Sequence, residues 1–106
     1  MSSYVIVYVT TGSKQEAEKI AQDLLSEHLI ACANIVGPVS SHFFWLGKID
    51  AAEEYLLVMK SRSTLFEELC KRVKALHSYE VPEVIAVPIV DVAKGYADWL
   101  HSVLRH

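Results

Sequence analysis

The chain has 106 residues, 52% hydrophobic and 22% charged, with a formal net charge of -3; that suffices for one domain with its own core and argues against a phosphate-backbone binder, whose footprint is basic. Its apolar runs, such as residues 43–46 and 84–90, fall well short of the ~18–20 residues that cross a bilayer. Met1-Ser2-Ser3-Tyr4 shows no basic start of a secretory signal, and Cys32 and Cys70 lack metal-type spacing and read as reduced thiols of a cytoplasmic protein.

Tyr4-Val5-Ile6-Val7-Tyr8-Val9-Thr10 predicts a first strand, so uniformly apolar that both of its faces should be covered. Thr10-Thr11-Gly12 turns the chain, and Ser13 with Glu16 forms a capping box. Ala17, Ile20, Ala21, Leu24 and Leu25 then recur at helical spacing, giving a helix that ends near Leu29. Residues 30–49 have a long β pattern interrupted by Gly37-Pro38, the mark of a bulge or kink. Asp50-Ala51-Ala52-Glu53 is the predicted turn, and 54–60 the returning strand. Thr64 with Glu67 suggests a second capping box, followed by the stripe Phe66, Leu69, Cys70, Val73 and Leu76. Residues 84–90 predict the last strand, placed at a sheet edge by Pro88. Tyr96, Trp99, Leu100 and Val103 mark a C-terminal helix.

The predicted fold is therefore α+β, a ferredoxin-like βαββαβ sandwich (the split-βαβ unit) with a long hairpin between the second and third strands and an added C-terminal helix. Right-handed crossovers put strands one and three in the middle of the sheet. Residues 1–106 make one domain, with no linker or repeat. Phe43-Phe44-Trp45-Leu46 is apolar on both faces of the hairpin. An arm of that kind calls for a closed homo-oligomer, in which it meets a neighbour's strand edge.

Chemistry-bearing residues concentrate in Leu76-His77-Ser78-Tyr79-Glu80-Val81-Pro82-Glu83-Val84. An imidazole with carboxylates suits Cu²⁺, Zn²⁺ or Ni²⁺, so His77, Glu80 and Glu83 are the candidate metal ligands. A further alternative is an enzyme that uses His77 and Glu80 as a proton-transfer pair. A plain structural role stays open, since a histidine suits the C-terminal end of a helix. Thr10-Thr11-Gly12-Ser13 can cradle an anion, with Lys60 pairing with that anion or with Glu80. Trp45 is placed in a subunit cleft, while Cys70 reads as core and His28, His42, His101 and His106 as surface histidines. No nucleophile elbow, Ser-His-Asp order or Gly-rich phosphate loop is present.

Five stretches together resemble the CutA family of divalent-cation tolerance proteins. They are Ala31-Cys32-Ala33-Asn34-Ile35, Trp45-Leu46-Gly47-Lys48-Ile49, Lys60-Ser61, His77-Ser78-Tyr79-Glu80-Val81-Pro82-Glu83, and Ala86-Val87-Pro88-Ile89 with Tyr96-Ala97-Asp98-Trp99. The resemblance spans essentially the whole chain. It implies a non-enzymatic, cytoplasmic homotrimer with PII-like architecture that binds copper or another divalent cation weakly and uses no organic cofactor. His77 matches the histidine of the family's His-x-Tyr-Glu segment, a copper-ligand candidate. Val9 and Leu76 stand where some members have a Cys and a second His, so a site here leans on His77, Glu80 and Glu83. Cys32, Trp45, Lys60 and Tyr79 are the expected cleft lining. The alternative is a PII-like signalling module that holds a small anion between subunits through Thr11, Gly12, Lys60 and Tyr79. Neither reading involves nucleic acid or membrane.

Overall fold

The computed structural model describes residues 3–106; Met1 and Ser2, which open the segment read as lacking a signal, lie outside the described residues. Strand β1 (Tyr4–Thr11), helix α1 (Lys14–Ser26), strands β2 (Cys32–Trp45) and β3 (Lys48–Arg62), helix α2 (Phe66–Leu76), strand β4 (Val84–Pro88) and helix α3 (Lys94–Val103) follow in order. The strands form one antiparallel sheet ordered β2-β3-β1-β4. β1 and β3 are central, as the crossover rule predicts. Pro88 closes an edge strand, where a residue without an N–H is tolerated.

Local chemistry explains the ends of α1. The Ser13 hydroxyl accepts the Glu16 N–H at 3.1 Å, which caps the helix start. At the other end the Leu29 N–H bonds the Leu24 carbonyl and the His28 N–H the Leu25 carbonyl, each at 3.0 Å. His28 sits there in the left-handed region at φ 57°. This is a Schellman stop, and it ends the helix at Ser26 instead of near Leu29. The His28 ring then donates from Nδ1 to the Val103 carbonyl at 3.0 Å, tying α3 to the end of α1.

Two sequence expectations are corrected. The hairpin does not turn at 50–53. Trp45 pairs with Lys48, and Leu46-Gly47 makes a two-residue turn with φ of 52° and 76°. Two successive positive φ values give the turn whose twist matches the flanking strands. Asp50, Ala51, Ala52 and Glu53 therefore lie within β3, opposite residues 40–43. The Thr64–Glu67 box does not form either. Thr64 lies inside a 3-10 turn, Ser63–Leu65, and no side chain caps α2. The expected bulge is present at Gly37-Pro38, where the register shifts between Val36 and Val39. Gly37 is required at that point, because a Cβ there would meet the Tyr55 ring at 2.4 Å.

Alternation along β1 divides the sheet into unlike faces. Val5, Val7, Val9 and Thr11 are buried in a core shared with Ile20 and Leu24 of α1, Leu57 and Met59 of β3, and Leu69 and Val73 of α2. The opposite face carries Ile6, Tyr8, Leu56 and Val58, which are half-buried, and Val36, Ile85 and Val87, which are exposed. The first strand is thus covered fully on one face only within a single chain. Past this face the hairpin projects as an arm with Phe44 76%, Leu46 85% and Ile49 75% exposed. β1 ends at Thr11, opposite Tyr55, so residues 48–54 of β3 have β2 on one side and no strand on the other among the described residues.

Candidate functional site

The segment from His77 to Glu83 leaves the end of α2 and passes over the end of β1. Its anchor is His77, whose side chain is fully buried. The Nδ1 atom of His77 accepts the Tyr79 N–H at 3.0 Å, which leaves the proton on Nε2, and Nε2 donates to the Thr10 carbonyl at 2.7 Å. Both ring nitrogens are therefore engaged by the main chain. An imidazole held this way organises the loop and has no lone pair free for an ion.

Glu16 fixes the next residue. Its carboxylate accepts the Ser78 N–H at 2.6 Å and the Ser78 hydroxyl at 3.1 Å. Burial raises the Glu16 carboxyl, but the Ser78 bonds, the nearby His77 ring and the Gly12 N–H outweigh it and hold it below its ordinary value. A depressed carboxylate contributes stability above its unfolded pKa, near 4.5, and that contribution disappears as pH falls through the folded value. Glu16→Gln is therefore expected to lower Tm at neutral pH and to flatten the acid limb of the Tm–pH curve below about pH 4.5. An acid limb identical to that of the unmodified chain would refute this role. The same carboxylate places a negative charge at the Thr10–Ser13 turn, where an anion was the alternative expectation.

Tyr79 carries the loop to the hairpin. Its ring packs on His77 with centroids 4.7 Å apart, and its hydroxyl donates to Glu54 Oε2 at 2.7 Å. Gly12 makes room for that hydroxyl, since a Cβ there would lie 3.3 Å from it. Burial and the Glu54 contact push the Tyr79 phenol up to about 12, so it remains a donor at any physiological pH. Glu54 is itself buried, although it is a carboxylate.

Between this loop and the arm lies a cleft of about 700 Å³. Asp50, Glu54, Glu80 and Glu83 bring four carboxylates to it, and Phe43, Phe44, Trp45 and Tyr79 bring four aromatic rings. His42 also lines it, with Nε2 3.2 Å from the Ser40 hydroxyl. No lysine or arginine is among the lining residues. Such a surface attracts cations and repels anions. Oxygen donors of this type suit divalent ions, and the rings suit positive charge. Among the described residues, no three His, Cys, Asp or Glu side chains converge tightly enough to hold a metal ion within one chain.

The expected site residues divide by position. Trp45, Tyr79, Glu80 and Glu83 share the cleft, while His77 stands behind it as a support. Cys32 and Lys60 face each other across β2 and β3, away from the cleft. Lys60 donates to Asn34 at 3.2 Å and forms no pair with Glu80, and Cys32 lies 3.5 Å from the Tyr96 hydroxyl.

Comparison with known proteins bears on the family and the fold. The family model for CutA1 divalent ion tolerance protein matches residues 5–103. The chain belongs to the CutA1 family. It is 46% identical to the divalent-cation tolerance protein CutA of Archaeoglobus fulgidus over 99 residues, covering 93% of this chain and 96% of that one. It is 42% identical to the chloroplastic protein CutA 1 of Oryza sativa over 101 residues, 95% of this chain but only 57% of the rice protein's length. The solved structure of the Thermus thermophilus divalent cation tolerance protein matches it with a TM-score of 0.94 at 39% identity, covering 96% of this chain and 99% of that one.

Within this CutA1 chain, sequence reasoning missed Asp50, Glu54 and His42 as cleft residues. Asp50 fell in the segment taken for a turn, and Glu54 at the start of the returning strand beside it. The period of two that puts 50, 52 and 54 on one side of a strand is the signal that finds them.

Proposed function

We propose that the chain is a non-enzymatic subunit of a ferredoxin-like, PII-like homotrimer that binds divalent cations, copper among them, weakly at the acidic aromatic cleft. The observation that carries this reading is the cleft lining, four carboxylates with no basic side chain. Glu80 and Glu83 are ligands in this account, with Asp50 and Glu54 beside them, while His77 positions the loop. Since no three donors converge within one chain among the described residues, firm coordination needs groups from a second subunit. The uncovered apolar face and the arm support such an assembly. The free thiols of Cys32 and Cys70 suit a reducing cytoplasm. The small-anion alternative lacks support, because the turn and the cleft it needs already carry carboxylates.

Calorimetric titration with Mn²⁺, Zn²⁺, Cu²⁺ and ATP tests the proposal. The metal ions should bind and ATP should not. The double variant Glu80→Gln, Glu83→Gln should lose about tenfold or more in Mn²⁺ affinity. Binding of ATP without metal, or Mn²⁺ affinity unchanged in the double variant, would overturn it.

A further inference from the structure

The imidazoles of His101 and His106 lie in contact, with ring centroids 4.5 Å apart and planes inclined at 70°. Nothing in the cleft explains this pair, because it sits by the other end of α1. The cleft loop is fastened to Glu16 in the first turn of that helix, whereas the C-terminal tail is fastened to Glu27 and His28 just past its last. A helix of 13 residues separates the two by about 20 Å.

The contact is built rather than frayed. Leu104 is buried, and its N–H bonds the Leu100 carbonyl at 3.0 Å. The Arg105 N–H bonds the His28 carbonyl at 3.0 Å, and its guanidinium donates to the Glu27 carbonyl at 2.8 Å and to Glu68. Every bond that holds the tail therefore precedes His106 and leaves its ring free. Arg105 also turns its charge toward Glu27 and Glu68, so it is already neutralised beside the histidines. His28 uses its Nδ1 on Val103, and among the described residues no third His, Cys, Asp or Glu joins the pair closely enough to hold a metal ion.

We infer that His101 and His106 form a second cation site, selective for a borderline ion such as Cu²⁺, Ni²⁺ or Zn²⁺ and independent of the cleft. Two imidazoles bound at neighbouring positions of one ion, with metal–nitrogen distances of ~2.0–2.1 Å, place their ring centres roughly 4–5 Å apart. The observed separation already falls in that range. Closure then requires ring rotation at the end of a tail whose main chain is fixed through Arg105. Nitrogen donors favour these ions over Mg²⁺ or Ca²⁺, the reverse of a carboxylate cleft. Water completes the coordination sphere.

The test is Cu²⁺ titration of the full chain, followed by calorimetry and electron paramagnetic resonance, in the Glu80→Gln, Glu83→Gln background. Carboxylate binding in the cleft is weakened there, so failure of the cleft and failure of the histidine pair are separable. One Cu²⁺ per chain should remain, with a spectrum split by two nitrogens. His101→Ala and His106→Ala should each weaken it by at least about tenfold, with Tm unchanged because both side chains are exposed. Unchanged affinity in both variants, or a loss that follows His42→Ala instead, would overturn the inference.

Discussion

Trp45→Glu is expected to reduce the assembled protein to single chains of 11.9 kDa without unfolding them. Trp45 is 51% exposed within one chain and stands on the arm, so a single chain does not depend on it for its own core. In an assembly the same position would bury an unpaired carboxylate, a cost of roughly several kcal/mol at each interface. Light scattering should report three times the chain mass before the substitution and one chain mass after it, with the far-UV circular dichroism retained. A mass unchanged by the substitution would remove Trp45 from the interface. A wild-type monomer would remove the assembly itself.

The second large effect is expected at His77. His77→Leu leaves the Thr10 carbonyl and the Tyr79 N–H without partners in a partly buried place, which costs about 2–4 kcal/mol of stability. Denaturant unfolding should show that loss in the midpoint, with the slope preserved. The substitution also separates the two roles given to this residue. A ligand histidine replaced by leucine would abolish metal binding and leave stability nearly intact. A positioning histidine lowers stability strongly, and metal affinity falls only as far as the Tyr79–Glu80 loop shifts. Stability unchanged together with metal binding abolished would restore His77 to the coordination sphere.

Much of the fold is legible because its causes are local. The β1 segment has little but branched and aromatic residues, and the Ser13–Glu16 pair marks the start of α1. Gly37-Pro38 likewise announces the bulge from its own two residues. The hairpin turn escaped because Leu46 is an unusual residue at positive φ, whereas Asp50-Ala51-Ala52-Glu53 resembles a loop until its pairing with β2 is known. Thr64 and Glu67 have the spacing of a box, but the chain enters α2 through a 3-10 turn and puts Thr64 in the wrong place for a cap.

The cleft was harder to foresee. Tyr79 meets Glu54 across 25 positions and His77 meets Thr10 across 67, so the partners that decide each role are remote in sequence. The residue types around His77 are those of a ligand set. What makes it a support is a carbonyl and an amide that no spacing rule reveals. Glu16 likewise reads as half of a capping box, yet its carboxylate is held by Ser78, 62 residues away.

In the assembly proposed above, the unpaired side of β3 has a consequence for how subunits would recognise one another. Along residues 48–54 the groups offered to a neighbour are main-chain amides and carbonyls, which every sequence possesses in the same form. Bonds of that sort discriminate poorly between one chain and a diverged relative. In that assembly, fidelity of self-association would rest on the few side chains of the arm, Phe43 and Trp45 foremost, and on how well their shapes interlock. Two relatives expressed together would exchange subunits freely wherever these rings match, and would sort into separate populations where they differ.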